Sequence, residues 1–460
     1  MLRKFIGDKA FYRHVLAIAI PIIIQNGITN FVSLLDNVMV GQVGTAPMSG
    51  VSIVNNLLFV FNMCVFGATS GAGIFTAQFH GSQDHEGIRH TFRYKVLICL
   101  ALTAASITLF LLGGRNLIML YLQGEGDNAA IGESLGYGLG YLRIMLWGLP
   151  PFALCYAYAG TLRETGETLL PMIAGITAVC VNLVLNYLLI FGKFGAPELG
   201  VNGAAIATVV SRYVELTIVT LWTHRNSARH PFITGAFRSF RIPARLFRLI
   251  SIKGVPLLVN EFFWSTGMAF LNQCYSVRGL DVVAAFTIAT TLSNLASVVF
   301  LAMGNSVGII MGQMLGAGAS ADEVRDANRK LIFVAVASCA IFGGLMAAVS
   351  GLFPLFYNTT ASVRGIATAL ILVTAAIMPF NAYTTSCYFT LRSGGKTAIT
   401  FIFDCGFVWC VIAPLAFVLS RFTVLPIIPL YAACQATDLI KCALGRWMIK
   451  KGTWIQNLTA

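Results

Sequence analysis

The sequence predicts an all-α polytopic membrane protein, with about twelve transmembrane helices in two six-helix lobes related by a pseudo-two-fold axis along the membrane normal. Two observations carry this. Hydrophobic residues make up 57% of the chain and charged residues 11%, whereas a soluble chain carries about a quarter charged residues. The chain also repeats itself. Pro21, Asn37, Gly73, Gln78 and Gly81 recur as Pro256, Asn272, Gly308, Gln313 and Gly316, always at an offset of 235 residues. A second block, Pro150, Thr161-Leu162-Arg163 and Gly166-Glu167-Thr168, returns as Pro379, Thr390-Leu391-Arg392 and Gly395-Lys396-Thr397 at an offset of 229. Ungapped register over most of a half argues against chance matching of Gly and Ala in apolar sequence.

Apolar runs long enough to cross roughly 30 Å of hydrocarbon give the spans in order. The first half supplies 13–41, 48–80, 91–113, 132–161, 168–192 and 200–223. The second supplies 249–276, 281–314, 328–351, 363–391, 397–420 and 423–448. Each must be a helix, because hydrocarbon offers no water to satisfy backbone groups. The segment 224–248 is the long polar connection between them, so the domain plan is an N-lobe 1–223, a linker 224–248 and a C-lobe 249–460. Two lobes that rock against each other need this linker to be slack. Pro21 and Pro256 are hinge candidates, since a proline inside a helix frees a carbonyl and permits a kink. A static bend for packing is the simpler alternative. Met1 to Arg13 is charged and leads straight into a full-length span, which predicts no removable signal peptide.

The net charge of +13 invites a nucleic-acid reading, but its distribution excludes one. With the N-terminus inside and sides alternating, 24 Lys and Arg fall inside, including Arg3, Lys4, Arg89, Arg93 and the run from Arg225 to Lys253. Only Arg115, Lys193, Arg278, Arg364 and Arg421 fall outside. The bias predicts a multi-pass protein of the cell (inner) membrane with both termini cytoplasmic. It also predicts contact of the 225–253 segment with membrane lipids through anionic headgroups. The eleven cysteines are scattered without a C-x-x-C pair and read as buried reduced thiols. His80, His85 and His90 recur every five residues, which suits a solvated loop better than a metal site on one helix face. Neither Gly-x-Ser-x-Gly nor His-Glu-x-x-His occurs, so no enzyme and no cofactor are expected.

Ionisable groups in the hydrocarbon core are functional candidates by default. Spacing pairs Asp438 with Lys441 and Arg212 with Glu215, both i, i+3. Asp36, Glu261 and Asp404 are left as unpaired carboxylates. Such a group can take up a proton, or hold Na⁺ beside neutral oxygens. Asn182 and Asn186 share a helix face one turn apart, and Thr208 is the nearest hydroxyl in register. Interhelical hydrogen bonding explains the two asparagines equally well.

At these residues the chain resembles the multidrug and toxic compound extrusion (MATE) family, over nearly its whole length. Asp36-Asn37-Val38-Met39-Val40-Gly41 is similar to the family's first-helix motif. Leu162-Arg163-Glu164-Thr165-Gly166-Glu167-Thr168 and Val181-Asn182-Leu183 through Asn186-Tyr187-Leu188-Leu189-Ile190-Phe191-Gly192 resemble its stretches after span four and in span five. Cys442 and Lys451-Gly452-Thr453-Trp454 resemble its C-terminal end. The resemblance implies export of small organic cations in exchange for entering Na⁺ or H⁺. It also implies a first-lobe cation site at Asp36, Asn182 and Thr208, which is where Na⁺ would lie. The chain departs from the family in carrying Asn186 where an Asp is usual. Glu261 comes five residues after Pro256 rather than eight, and Trp264 stands in the later place. Glu261 and Asp404 are therefore second-lobe acidic candidates for substrate or protons on their own physical merits. A monomer is expected to suffice. The alternative reading is a lipid-linked saccharide flippase of the same superfamily. That would want bases at membrane depth to meet phosphates, and this chain has only Arg143 and Arg212 there.

Overall fold

The structure, a computed structural model, describes residues 5–122, 128–357 and 359–459, without the side chains of 34, 37, 38, 45, 128–130 and 280. Arg3, Lys4 and the side chain of Asn37 thus lie outside the described residues. Every regular element among these residues is helical. In order they are α1 (Lys9–Gly41), α2 (Thr45–Gly81), α3 (His85–Leu122), α4 (Asn128–Met145), α5 (Leu149–Glu164), α6 (Leu169–Phe191), α7 (Val201–Arg225) and α8 (Ala244–Ser276). Then follow α9 (Leu280–Gly316), α10 (Ala321–Val349), α11 (Ala361–Ser393), α12 (Thr397–Phe401), α13 (Ala413–Phe422), α14 (Ile427–Ala436) and α15 (Asp438–Lys451). Ten helices among the described residues are long and apolar enough to cross a membrane. The helices of 128–164 and 244–276 complete the expected set of spans. The two prolines of the second repeat block behave differently. Pro150 follows a 3₁₀ turn, Leu146–Gly148, that separates α4 from α5, whereas Pro379 sits within an unbroken α11. Between α12 and α13 the backbone widens into π-helical turns at Ile402–Gly406 and Val408–Ile412.

The chain folds as two compact units. One gathers Met1–Ile23, Ala77–Gln83 and Ile252–Ala460, the other Ile24–Thr76 and Asp84–Ser251. In the first, Val15, Ile18 and Ile22 of α1 pack with Met303 and Val307 of α9, Leu331 of α10, Leu391 of α11 and the fully buried Trp454. The repeated Gln-x-x-Gly motifs meet each other here. A Cβ on Gly81 would strike the carbonyl of Gln313, and one on Gly316 would strike the carbonyl of Gln78. The Gln78 amide is wholly buried. Its Nε2 donates to Ser393 O (2.9 Å) and Gln456 O (3.2 Å), and its Oε1 accepts from Leu458 N (2.7 Å).

In the second unit, Gly203 lets α7 approach α6, because a Cβ there would meet the carbonyl of Leu189. Lys95 is fully buried against Glu164 and Thr161 (3.2 Å), which removes the cost of an isolated buried charge. The 224–248 segment is not slack. Phe232, Ile233 and Ala236 are buried, and Arg229 reaches Glu167 at 3.5 Å. The histidine trio lies beside the exposed 82–84 turn rather than within it. His80 ends α2, while His85 and His90 lie in the first turns of α3, where His90 faces Glu86 at 3.6 Å.

Candidate functional site

Three helices of the second unit bring Asp36, Asn182, Asn186 and Thr208 together. Asn186 Nδ2 donates to Asp36 Oδ1 (2.7 Å) and also reaches Asn182 Oδ1 (3.2 Å). Asn182 Nδ2 donates to Thr208 Oγ1 (3.3 Å), and that hydroxyl donates to Ala204 O (3.0 Å). Both asparagines are buried, while Asp36 and Thr208 are half-buried. The i, i+4 spacing on α6 sets the pair, and the close α6–α7 approach at Gly203 brings Thr208 within reach.

The orientation of the Asn182 amide decides how the cluster is satisfied. As arranged, Asn182 Oδ1 lies 3.1 and 3.0 Å from the two oxygens of Asp36. Three acceptor oxygens cannot crowd together unless a proton or a cation sits among them. Turning the Asn182 amide over lets its nitrogen donate to both carboxylate oxygens, but then sets it 3.2 Å from the Asn186 nitrogen, donor against donor. Asn186 Oδ1 is buried with no hydrogen-bond partner. A carboxylate with three neutral oxygens from Asn182, Asn186 and Thr208 therefore fits a small hard monovalent cation, and equally fits a proton on Asp36.

The second-lobe acids lie in the other unit, where the structure corrects their expected pairing. Asp404 is not unpaired. Its Oδ1 accepts from Lys441 Nζ (2.8 Å) and its Oδ2 from Asn260 Nδ2 (3.2 Å). Lys441 therefore belongs to Asp404 rather than to Asp438, and it also lies 5.3 Å from the centre of the Phe403 ring. Arg212 likewise turns from Glu215 to Gly148 O (3.2 Å) and the face of Phe152 (5.0 Å). Glu261 is half-buried, with Arg392 and Asp404 as electrostatic neighbours. Asn260, with its Oδ1 buried and unpartnered, is the residue that sequence reasoning missed. The repeat contained a signal for it. At the 235-residue offset Asn260 matches Gln25, which accepts from Arg163 (2.9 Å) in its own unit. Pro21 is buried and Pro256 half-buried, each inside a continuous helix.

Known proteins place the chain in a family. The family model described as MatE matches residues 21–188 and 256–418, most of both halves. The probable multidrug resistance protein YoeA of Bacillus subtilis is 25% identical over 453 residues, covering 95% of this chain and 93% of its own. The probable multidrug resistance protein NorM of Thermotoga maritima is 23% identical over 454 residues, covering 96% and 93%. An outward-facing multidrug resistance MATE transporter of the MOP superfamily superposes with a TM-score of 0.86 at 18% identity, over 100% of this chain and 99% of that one. A MOP superfamily transporter from Pyrococcus furiosus, described as having a binding pocket of reversed polarity, gives 0.83 at 19% identity, over 98% of each chain. The duplicated apolar sequence, the all-helical fold and the match across both halves agree: this chain belongs to the MatE family of multidrug transporters.

Proposed function

We propose that the protein is a secondary active exporter of lipophilic organic cations, driven by Na⁺ or H⁺ entering at Asp36. The observation that supports this most is the convergence of the Asp36 carboxylate with the side-chain oxygens of Asn182, Asn186 and Thr208, among which Asn186 Oδ1 is buried without a partner. A cation bound there drives a conformational cycle by binding the two conformations with different affinity. The coupling ion is cargo here, held by the Asp36 carboxylate and the amide and hydroxyl oxygens around it. Pro21 is the candidate hinge. The boundary between the compact units crosses α1 at Ile23–Ile24, two residues past the proline, where the helix has lost a hydrogen bond. Pro256 has the equivalent place in α8. Glu261 and Asp404, the latter neutralised by Lys441, form a second polar centre for substrate or protons. The lobes are 1–223 and 249–460, the positive residues put both termini in the cytoplasm of an inner membrane, and one chain holds every site residue, so the monomer is the working unit.

The test is efflux of a fluorescent lipophilic cation from proteoliposomes under an imposed Na⁺ gradient or an imposed pH gradient, with Asp36→Asn alongside. Wild type should respond to one gradient, and the variant to neither while still inserting and folding. Unimpaired gradient-driven efflux by the variant removes Asp36 from the mechanism. Failure of both gradients with wild type turns attention to the flippase reading.

A further inference from the structure

The connection between α7 and α8 is held to α3 by two arginines whose donors are spent on its backbone. Arg93 is buried and donates from Nε to Ala236 O (2.8 Å), from Nη2 to Gly235 O (2.9 Å) and from Nη1 to Arg241 O (3.3 Å). Arg89 donates to Phe232 O (3.3 Å) and Pro231 O (3.4 Å). Phe232 packs its ring 5.7 Å from that of Phe92. A charged group placed under a loop in this way fixes the loop's carbonyls, and so fixes what its side chains present on the other side.

What they present is unusual for a solvated connection. Arg238, Arg241, Arg245 and Arg248 are exposed, and between them Phe237, Phe240 and Phe247 keep 44%, 44% and 47% of their surface. No Asp or Glu occurs between Glu215 and Glu261, so no acid of this stretch neutralises the arginines. The stretch continues without a break into α8, whose first turns carry Arg245, Phe247 and Arg248. Exposed phenylalanines are costly in water and favourable at a bilayer interface, and guanidinium forks match phosphate oxygens in pairs.

We propose that residues 237–248 form a preorganised docking surface for the headgroups of anionic phospholipids in the adjacent leaflet. The four arginines bind phosphate, and the phenylalanines seat at the headgroup–acyl boundary. Charge complementarity selects anionic over zwitterionic lipid, and the aromatic residues select a membrane over a soluble polyanion. The surface does not depend on what the protein transports.

The test is native mass spectrometry of the full-length protein titrated with phosphatidylglycerol or phosphatidylcholine. Wild type should retain phosphatidylglycerol preferentially. R238A/R241A/R245A/R248A should lose about fivefold in phosphatidylglycerol affinity per arginine removed, with phosphatidylcholine retention unchanged. A second readout needs no variant: raising salt to about 1 M, where the screening length is about 3 Å, should abolish the preference in wild type. Equal retention of the two lipids by wild type, or a preference that survives both high salt and loss of the arginines, overturns the assignment. Inorganic phosphate that displaces the lipid at matched concentration would show that the membrane surface contributes nothing, and overturns it too.

Discussion

Asp36 and Asp404 are both carboxylates at helix contacts, and they differ in what neutralises them. Asp404 has an internal cation in Lys441 at 2.8 Å. Asp36 accepts from the Asn186 amide and has no basic hydrogen-bond partner among the described residues. Removing one partner of a buried pair strands a charge, whereas removing both does not. The pair is half-buried, so Lys441→Met should destabilise the protein by about 1–3 kcal/mol, less than a fully buried pair would, and the double variant with Asp404→Asn should regain most of it. Thermal unfolding in detergent reads both, and additive losses in the double variant would defeat the argument. Asp36→Asn should behave in the opposite way, abolishing coupled efflux with little change in unfolding temperature, because among the described residues no cation is paired with the carboxylate to be stranded. The first-unit cluster was legible because Asn182 and Asn186 are one turn apart and a short α6–α7 connection puts Thr208 beside them. The Asp404–Lys441 pair was not legible. Lys441 has an acid at i−3 in Asp438, and local spacing prefers that partner. The true one lies 37 residues away on another span.

At the scale of elements, the 224–248 connection shows what composition conceals. Its sequence is polar and basic and reads as a tether, yet Phe232, Ile233 and Ala236 supply a small core and α3 supplies the arginines that satisfy its carbonyls. Nothing local announces that Arg89 and Arg93 point into a segment roughly 140 positions later in sequence. His230 makes this docking pH-sensitive. It is buried between Trp222 (5.4 Å) and Phe232 (6.1 Å), with Nε2 unpartnered. Burial pushes its imidazole below the ordinary 6.5, with Glu167 opposing and Arg229 reinforcing the shift. The docked segment thus disfavours the protonated ring relative to the undocked one. Docking is at full strength above about pH 6.5 and weakens as pH falls through the lower docked value. Amide hydrogen exchange across 226–241, corrected for intrinsic rates, should show less protection at about pH 5.5 than at about pH 7.5. His230→Phe should flatten the difference. Equal protection in wild type at the two values would remove His230 from the docking energetics.

For the whole molecule, the repeat and the compact units divide the chain differently. Duplication splits it near the linker. The unit that holds the second half also takes in Met1–Ile23 and Ala77–Gln83. The repeat is an evolutionary register and says which residues correspond. It is silent about which of them pack together, and α1, α2 and α8 each run from one unit into the other. A fragment of residues 249–460 would therefore lack Val15, Ile18 and Ile22 against Met303 and Leu331. It would also lack Gln78, leaving the carbonyl of Ser393 and the amide of Leu458 without their partner. In a bilayer the lost apolar contacts matter less as hydrophobic burial than as packing, since lipid tails replace them. The unmet backbone groups cost about 1–3 kcal/mol each. We expect the 249–460 fragment alone to be polydisperse by size-exclusion chromatography, with a protease-sensitive tail beyond Lys451. Co-expression with a 1–248 fragment should restore a monodisperse species and protect the tail, and the same fragment carrying Gln78→Ala should do so less well. A 249–460 fragment that is monodisperse and protease-resistant on its own would show that these borrowed segments are dispensable, and that the halves of the repeat are themselves the folding units.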